Sequence, residues 1–319
     1  MEKVRFSDTD LEVTRIVMGT GNFKERLDKE SAFRVLDTYL DAGGNFLDTA
    51  NVYCRWLPDT ENCAEQFLGE WFRKTGNRNN VVLATKAGHP HVRTGKWRVD
   101  AEHLRQDLEE SLRTMGTDHV DMFWFHRDNT DMPVEELIDI GETFVKEGKT
   151  RYYGASNFTL PRMKEAFAYK EKTGKGFSAL SNQWSLAYPN PGYKLNGDMS
   201  LEGVDSEYYR WLCESKLTLV PYSATAGGFF NKALTGKLSD TLKGGYVNER
   251  NMDLAYTLEA MAEKYETTPI IISVAILLVQ PFQVLPVTAV SGPGQLLETL
   301  KADRLELDRE DIELLSKYL

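Results

Sequence analysis

The chain has 319 residues, of which 41% are hydrophobic and 27% charged, and it carries a formal net charge of −10. That length fits one large α/β barrel or two ordinary domains, with enough apolar content for a sizeable core. The acidic balance argues against a nucleic-acid surface, because phosphate recognition needs clustered Lys and Arg.

The start, from Met1 to Phe6, has no apolar signal core, and no stretch reaches the roughly 18 uncharged apolar residues of a membrane helix. Cys54, Cys63 and Cys213 are odd in number and irregularly spaced. They support no disulfide framework and point to a reducing compartment, so the cytoplasm is the expectation.

Short β-rich runs recur at residues 14–19, 45–50, 81–86, 120–126, 151–156, 179–183, 217–222 and 284–288. Stretches with helical apolar spacing separate most of them. Ala64, Phe67, Leu68, Trp71 and Phe72 form one stripe over 61–73. Leu104, Leu108, Leu112 and Met115 form another over 101–115, and Leu137, Ile138, Ile140 and Phe144 a third over 134–145. Residues 187–205, rich in Pro, Gly, Asn and Asp, read as a long irregular loop. Helices follow over 252–265 and 268–279, the second with Thr268 as N-cap and Pro269 at its first position, and an amphipathic helix covers 308–318.

Strands that alternate with helices pair in parallel, and eight of them close a barrel that side chains can fill. Rhythm alone also allows a doubly wound open sheet. The polar residues at the strand ends favour an eight-stranded parallel (β/α)8 TIM barrel, where functional groups sit at the carboxyl ends. No linker or shift in composition divides the chain, so residues 1–319 are expected to form one domain.

Those carboxyl ends read Asp48 followed by Tyr53, then Lys86, His126, Ser156-Asn157, Asn182-Gln183 and Tyr222-Ser223. Apolar strands that stop abruptly at ionisable residues are hard to explain by solubility. Reduction of a carbonyl leaves an alkoxide that must be protonated, and a phenol with a pKa of about 10 is a weak donor at neutral pH. An ammonium about 4 Å away stabilises the phenolate by roughly 4 kcal/mol at an effective dielectric near 20, which would bring Tyr53 toward neutrality. Asp48 would hold Lys86 charged while offsetting part of that effect, and His126 would donate to the substrate oxygen. His89 and His91 lack further ligands at metal-site spacing, so no metal is expected, and nothing supplies Cys54 with a base.

The sequence resembles the aldo-keto reductases over essentially its whole length. The resemblance rests on Met18-Gly19-Thr20-Gly21, the segment from Asn45 to Tyr53, Ala84-Thr85-Lys86, the run from Val120 to His126, Gly154 to Asn157, Asn182-Gln183 and residues 285–300. It implies a catalytic tetrad of Asp48, Tyr53, Lys86 and His126 working with bound NADPH or NADH on a small-molecule carbonyl or alcohol.

The resemblance also implies backbone contacts to the cofactor from Gly19, Thr20 and Gly21, alongside Asp48. Carboxamide contacts would come from Ser156, Asn157 and Gln183, and a stacking face from Tyr222. Ser223, Ala224, Gly227 and Gly228 would lie along the pyrophosphate, and Ser291, Gln295, Glu298 and Thr299 at the adenosine end. Cations that usually grip a 2′-phosphate are replaced by Ala289 and Gln295, which implies weak discrimination for NADPH. The family's long carboxyl-terminal specificity tail is not expected here, where the sequence ends at Leu319 after the helix over 308–318. Specificity is therefore expected from loops 89–98 and 187–205 and from Trp97, Arg93, Arg127, Asp128 and Trp184, which suit a polar, sugar-like carbonyl. The alternatives are a regulatory subunit that keeps the fold with little turnover, and an aldolase forming a Schiff base at Lys86.

Overall fold

Short apolar runs bounded by turn residues need cover on both faces, which parallel pairing under helices provides. The computed structural model describes residues 1–319. It opens with an antiparallel hairpin, β1 (Lys3–Arg5) and β2 (Glu12–Thr14). Then follow β3 (Val17–Gly19), α1 (Lys29–Asp41), β4 (Phe46–Asp48), α2 (Cys63–Thr75), β5 (Val82–Ala87), α3 (Ala101–Met115), β6 (Val120–Phe125) and α4 (Val134–Lys146). Next come β7 (Thr150–Ser156), α5 (Leu160–Thr173), β8 (Ala179–Ser181), α6 (Ser206–Ser215) and β9 (Thr218–Leu219). The carboxyl-terminal part holds α7 (Phe229–Ala233), α8 (Asp240–Tyr246), α9 (Glu249–Lys264), α10 (Pro269–Leu278), β10 (Val287–Thr288), α11 (Pro293–Leu300) and α12 (Arg309–Ser316).

The sheet runs β10-β3-β4-β5-β6-β7-β8-β9, with every neighbour parallel. A bridge between Leu219 and Val284, with Leu285 N–H donating to the Leu219 carbonyl, joins its two edges. The result is the closed (β/α)8 arrangement that the alternation predicts.

Period-two alternation divides the core in two. Val17, Phe46, Val82, Ala84, Met122, Trp124, Ala179, Val220, Leu285 and Val287 fill the barrel interior. Leu47, Leu83, Phe123, Phe125 and Leu180 belong to the larger core under the helices. The sequence does not reveal the hairpin, and residues 14–19, expected as one strand, are split between β2 and β3. Phe6, Leu11 and Val13 of the hairpin pack into the interior core beside Val17 and Phe46, so the hairpin plugs the end opposite the functional rim.

Thr268 occupies the N-cap of α10, but its hydroxyl makes no cap bond. Asn231 from α7 takes that role instead, its side-chain oxygen accepting from Ile270 N–H at 2.9 Å. No helix is long and apolar enough to cross a membrane.

Candidate active site

The interior face of each strand ends, two residues on, in a polar group. Phe46 leads to Asp48, Val82 and Ala84 to Lys86, and Met122 and Trp124 to His126. Three successive strands therefore deliver a carboxylate, an ammonium and an imidazole to one rim. Tyr53 joins them from the turn after β4. Cys54, next to it, has a φ of 80°, a left-handed conformation that costs a residue with a Cβ energy and needs support from its surroundings. That support includes the Cys54 thiol donating to the Phe23 carbonyl at 3.2 Å. Burial pushes this thiol up to about 12, which leaves no thiolate for nucleophilic chemistry.

Lys86 is buried at the centre of the group. Its Nζ donates to Asp48 Oδ2 in a close ion pair, to the Thr49 carbonyl at 2.8 Å and to the Tyr53 hydroxyl at 3.2 Å. Burial works against the ammonium, but the Asp48 carboxylate and the Tyr53 phenol outweigh it and hold Lys86 above its ordinary value. The Tyr53 phenol departs from expectation. Burial pushes it up, and this exceeds the downward pull of Lys86, which Asp48 partly offsets. Tyr53 is therefore a protonated phenol in this environment and is not brought toward neutrality, because desolvation outweighs an ammonium that Asp48 also engages.

His126 is buried with its ring edge-on to Tyr53, centroids 6.2 Å apart. Burial and then the neighbouring Arg127 guanidinium hold its imidazole well below the ordinary value. His89 stands edge-on to it at 5.2 Å and is likewise lowered, to about 4, by burial and then Arg127. Both rings are neutral at physiological pH. His89 faces His126 and not His91, whose Nδ1 accepts from the backbone of Arg93 and Thr94.

The residues with expected cofactor roles lie at six consecutive barrel positions, β7, β8, β9, β10, β3 and β4. A Cβ at Gly21 would lie 3.9 Å from the Tyr53 ring, so the glycine leaves a shallow hollow beside the phenol. Asn22 Nδ2 donates to the Val290 carbonyl at 3.3 Å, tying this turn to the approach to α11. Ser223 and Ala226 have φ of 55° and 47°, and Gly227 and Gly228 have φ of 64° and 77°. The loop after β9 is thus a tightly folded backbone of the kind that lies close to phosphates. Lys232 Nζ donates to the Gly227 carbonyl at 2.8 Å, a cation beside the glycines that sequence reading missed.

Gln183 spends one amide hydrogen on the Tyr246 hydroxyl at 3.1 Å. The Asn157 amide is fully committed. Its Oδ1 accepts from Tyr222 OH at 2.6 Å and from Glu202 N–H at 3.1 Å. Its Nδ2 donates to the His126 carbonyl and to Ser156 Oγ, both at 3.1 Å. At α11, Gln295 Oε1 accepts from Ser291 N and Oγ, both at 2.8 Å, and Glu298 pairs with Lys301. Thr299 is buried, with its hydroxyl donating to the Gln295 carbonyl.

The residues expected to face substrate divide. Arg127 is at the rim, beside His126. Asp128 is drawn away into a buried pair with Arg162 of α5 at 3.0 Å. Trp184 is buried on the outside of the barrel, stacked on Tyr209 at 5.9 Å and against Phe282. It follows the inward Gln183, so alternation turns it outward. Trp97 is exposed on its loop. Arg93 lines a polar cavity of about 290 Å³ together with Asn51, Val52, Lys86, His89 and Val92. Trp56, exposed and edge-on to Tyr53 at 6.1 Å, was missed, since nothing in the sequence distinguishes it from a loop aromatic.

A closed parallel barrel with a carboxylate, an ammonium and a phenol interlocked at its carboxyl rim is the framework of a barrel oxidoreductase. The chain belongs to the aldo/keto reductase family, whose family model matches residues 15–319. It is 30% identical to the Bacillus subtilis oxidoreductase YrpG over 99% of this chain and 95% of that protein. It is 26% identical to the NADP(+) aryl-alcohol dehydrogenase of Phanerodontia chrysosporium over 91% of this chain and 76% of the relative. With the norsolorinic acid reductase stcV of Emericella nidulans it shares 28% identity over 89% and 70% of the two chains. Its class is that of an NAD(P)H-dependent oxidoreductase.

Proposed function

We propose that this chain interconverts an aldehyde or ketone with its alcohol, using Tyr53 as the acid in reduction and, ionised, as the base in oxidation. The observation that carries this reading is the Lys86 ammonium held at once by the Asp48 carboxylate and the Tyr53 hydroxyl. A nicotinamide dinucleotide, when bound, supplies the hydride. The hollow at Gly21, the phosphate-ready backbone of Gly227 and Gly228, and the free acceptor of Gln183 fit such a group. Ser156, Asn157, Gln183 and Tyr222 would flank the nicotinamide, and Ser223, Ala224, Gly227 and Gly228 the pyrophosphate. Ser291, Gln295, Glu298 and Thr299 would surround the adenosine end, where Ala289 and Gln295 supply no cation to a 2′-phosphate, so discrimination between NADPH and NADH is weak.

Neutral His126 donates a hydrogen bond to the substrate oxygen and sets its angle to the phenol. Tyr53 passes its proton to that oxygen, and Lys86 stabilises the phenolate left behind, itself fixed by Asp48. Asp48, Lys86 and His126 are buried and Tyr53 is half-buried, which strengthens these interactions. A fully charged, paired Lys86 is no nucleophile, which tells against Schiff-base chemistry.

Trp56 beside Tyr53 offers an aromatic face, while Asn51, His89 and Arg93 offer polar groups. With relatives named for aryl alcohols and norsolorinic acid, this supports a ring-bearing, hydroxylated carbonyl as substrate. The test is a screen of carbonyl compounds followed at the NAD(P)H absorbance, with Tyr53→Phe as control. Wild-type turnover that survives in Tyr53→Phe overturns the assignment.

A further inference from the structure

The residues that brace His126 from behind are the same ones that hold the long loop 187–205 across the rim. The His126 backbone carbonyl accepts two hydrogen bonds, from Arg127 Nη1 at 2.7 Å and from Asn157 Nδ2 at 3.1 Å. Each donor also reaches the loop. Arg127 Nε donates to Ser200 Oγ and Nη2 to Asp198 Oδ2, both at 2.6 Å. Asn157 Oδ1 accepts from Glu202 N–H. The adjacent strand end adds Gln183 N–H to the Glu202 carbonyl at 2.9 Å and Val204 N–H to the Gln183 carbonyl at 3.0 Å. The loop contains only a single short helical turn, Leu195–Gly197, so these clasps set where it lies.

The imidazole itself has no comparable anchor, since His126 Nδ1 is buried without a hydrogen-bond partner. Its orientation depends on its backbone and on its packing against Tyr53 and His89. We propose that Arg127 is a positioning residue for His126, latching loop 187–205 to the rim and fixing the imidazole through its own backbone carbonyl. This rests on the reading that His126 meets the substrate oxygen.

The chemistry of the guanidinium suits the task. Its rigid planar fork holds three acceptors in fixed directions from one buried position, whereas an ammonium's three donors rotate freely. Its charge is matched by Asp198, whose Oδ1 in turn accepts from Ser200 N–H at 2.9 Å. Around the imidazole stand Lys86 and Tyr53 from the β4 and β5 side, His89 from the loop after β5, and Arg127 from its own strand end. Asp198 comes from the loop, 3.9 Å from His89 Nε2. Arg127 thus opposes protonation of His126, and Asp198 moderates that opposition.

The test compares full-length Arg127→Met, Arg127→Lys and Asp198→Asn with the wild type. Three readings are taken: the pH profile of kcat, imidazole titration by NMR, and limited proteolysis within 187–205. Arg127→Met is expected to lower kcat about 10- to 100-fold, as loss of positioning does. It should also move the acidic limb and the His126 titration upward and open the loop to cleavage. Arg127→Lys keeps the charge, so its acidic limb stays while its loop opens. Asp198→Asn removes the balancing anion, so its limb moves further down. The proposal is overturned if Arg127→Met leaves the His126 titration and loop protection unchanged, whatever its kcat. It is also overturned if Met and Asn variants shift the titration in the same direction. NMR and proteolysis do not need turnover, so a failed Tyr53→Phe control would sink the catalytic reading and leave the latch standing.

Discussion

The Lys86 ammonium donates to the Tyr53 hydroxyl at 3.2 Å, which makes the phenol oxygen the acceptor in that bond. The phenol's own hydrogen is then free to point into the site. Burial holds this phenol above its ordinary value, so it keeps its proton across the physiological range. Reduction should therefore show no alkaline limb below about pH 10, the ordinary tyrosine value. Tyr53→Phe should lower kcat about 10²- to 10⁴-fold, the usual contribution of a positioned acid. A limb near pH 8 in the wild-type rate profile would mean that Lys86 wins over burial.

The same ammonium predicts an asymmetry in stability. Lys86 and Asp48 are both buried, so removing one partner strands the other charge. Asp48→Asn alone should cost about 3–5 kcal/mol, the usual penalty for breaking a buried pair. The double variant Asp48→Asn, Lys86→Met should recover much of that loss. Denaturant unfolding of both singles and the double measures the coupling, and additive effects would show that the two groups do not depend on each other.

The adenosine end allows a prediction about selectivity. Ala289 is exposed, and Gln295 spends its side-chain oxygen on Ser291, so no guanidinium or ammonium from these positions meets a 2′-phosphate. Steady-state kinetics should show less than a hundredfold difference between NADPH and NADH. Gln295→Arg should shift the ratio about tenfold or more toward NADPH, because a charge-assisted hydrogen bond contributes on the order of 1.5–3 kcal/mol. If it leaves the ratio unchanged, the phosphate lies elsewhere, with Lys232 beside Gly227 as the first place to look.

The candidate site at the rim was legible because strands announce their inward face by alternation. Val82, Ala84 and Lys86 fall on one parity, as do Met122, Trp124 and His126. The same rule, applied strictly, would have excluded Trp184, one residue out of phase with Gln183. Asp128 gave no such signal, since its partner Arg162 lies on a distant helix. The hairpin escaped notice because its strands are three residues long and carry Lys3, Arg5 and Glu12, so no apolar run marks them. His89, Asp198 and Ser200 were illegible for a different reason. They belong to irregular loops, where position depends on tertiary contacts and not on periodicity.

Glu65 offers a test that is independent of turnover. It lies fully buried in α2. Its Oε1 accepts from Thr85 Oγ1 at 2.6 Å and its Oε2 from Asn62 Nδ2 at 2.9 Å. No cation faces it, and burial pushes its carboxyl up to about 7. The folded state therefore favours the protonated acid. That preference stabilises the fold fully below the unfolded value near 4.3 and is lost as pH rises toward 7. The loss is on the order of 3 kcal/mol, from about 1.4 kcal/mol per tenfold change in proton affinity. Glu65→Gln has no charge to bury, so its stability relative to wild type should rise between pH 5 and pH 8. Chemical unfolding of both proteins at the two pH values gives the difference directly. A flat difference would place the Glu65 titration back at its ordinary value and show that the three neighbouring hydroxyl and amide groups, Thr85, Asn62 and Ser111, solvate the carboxylate as well as water does.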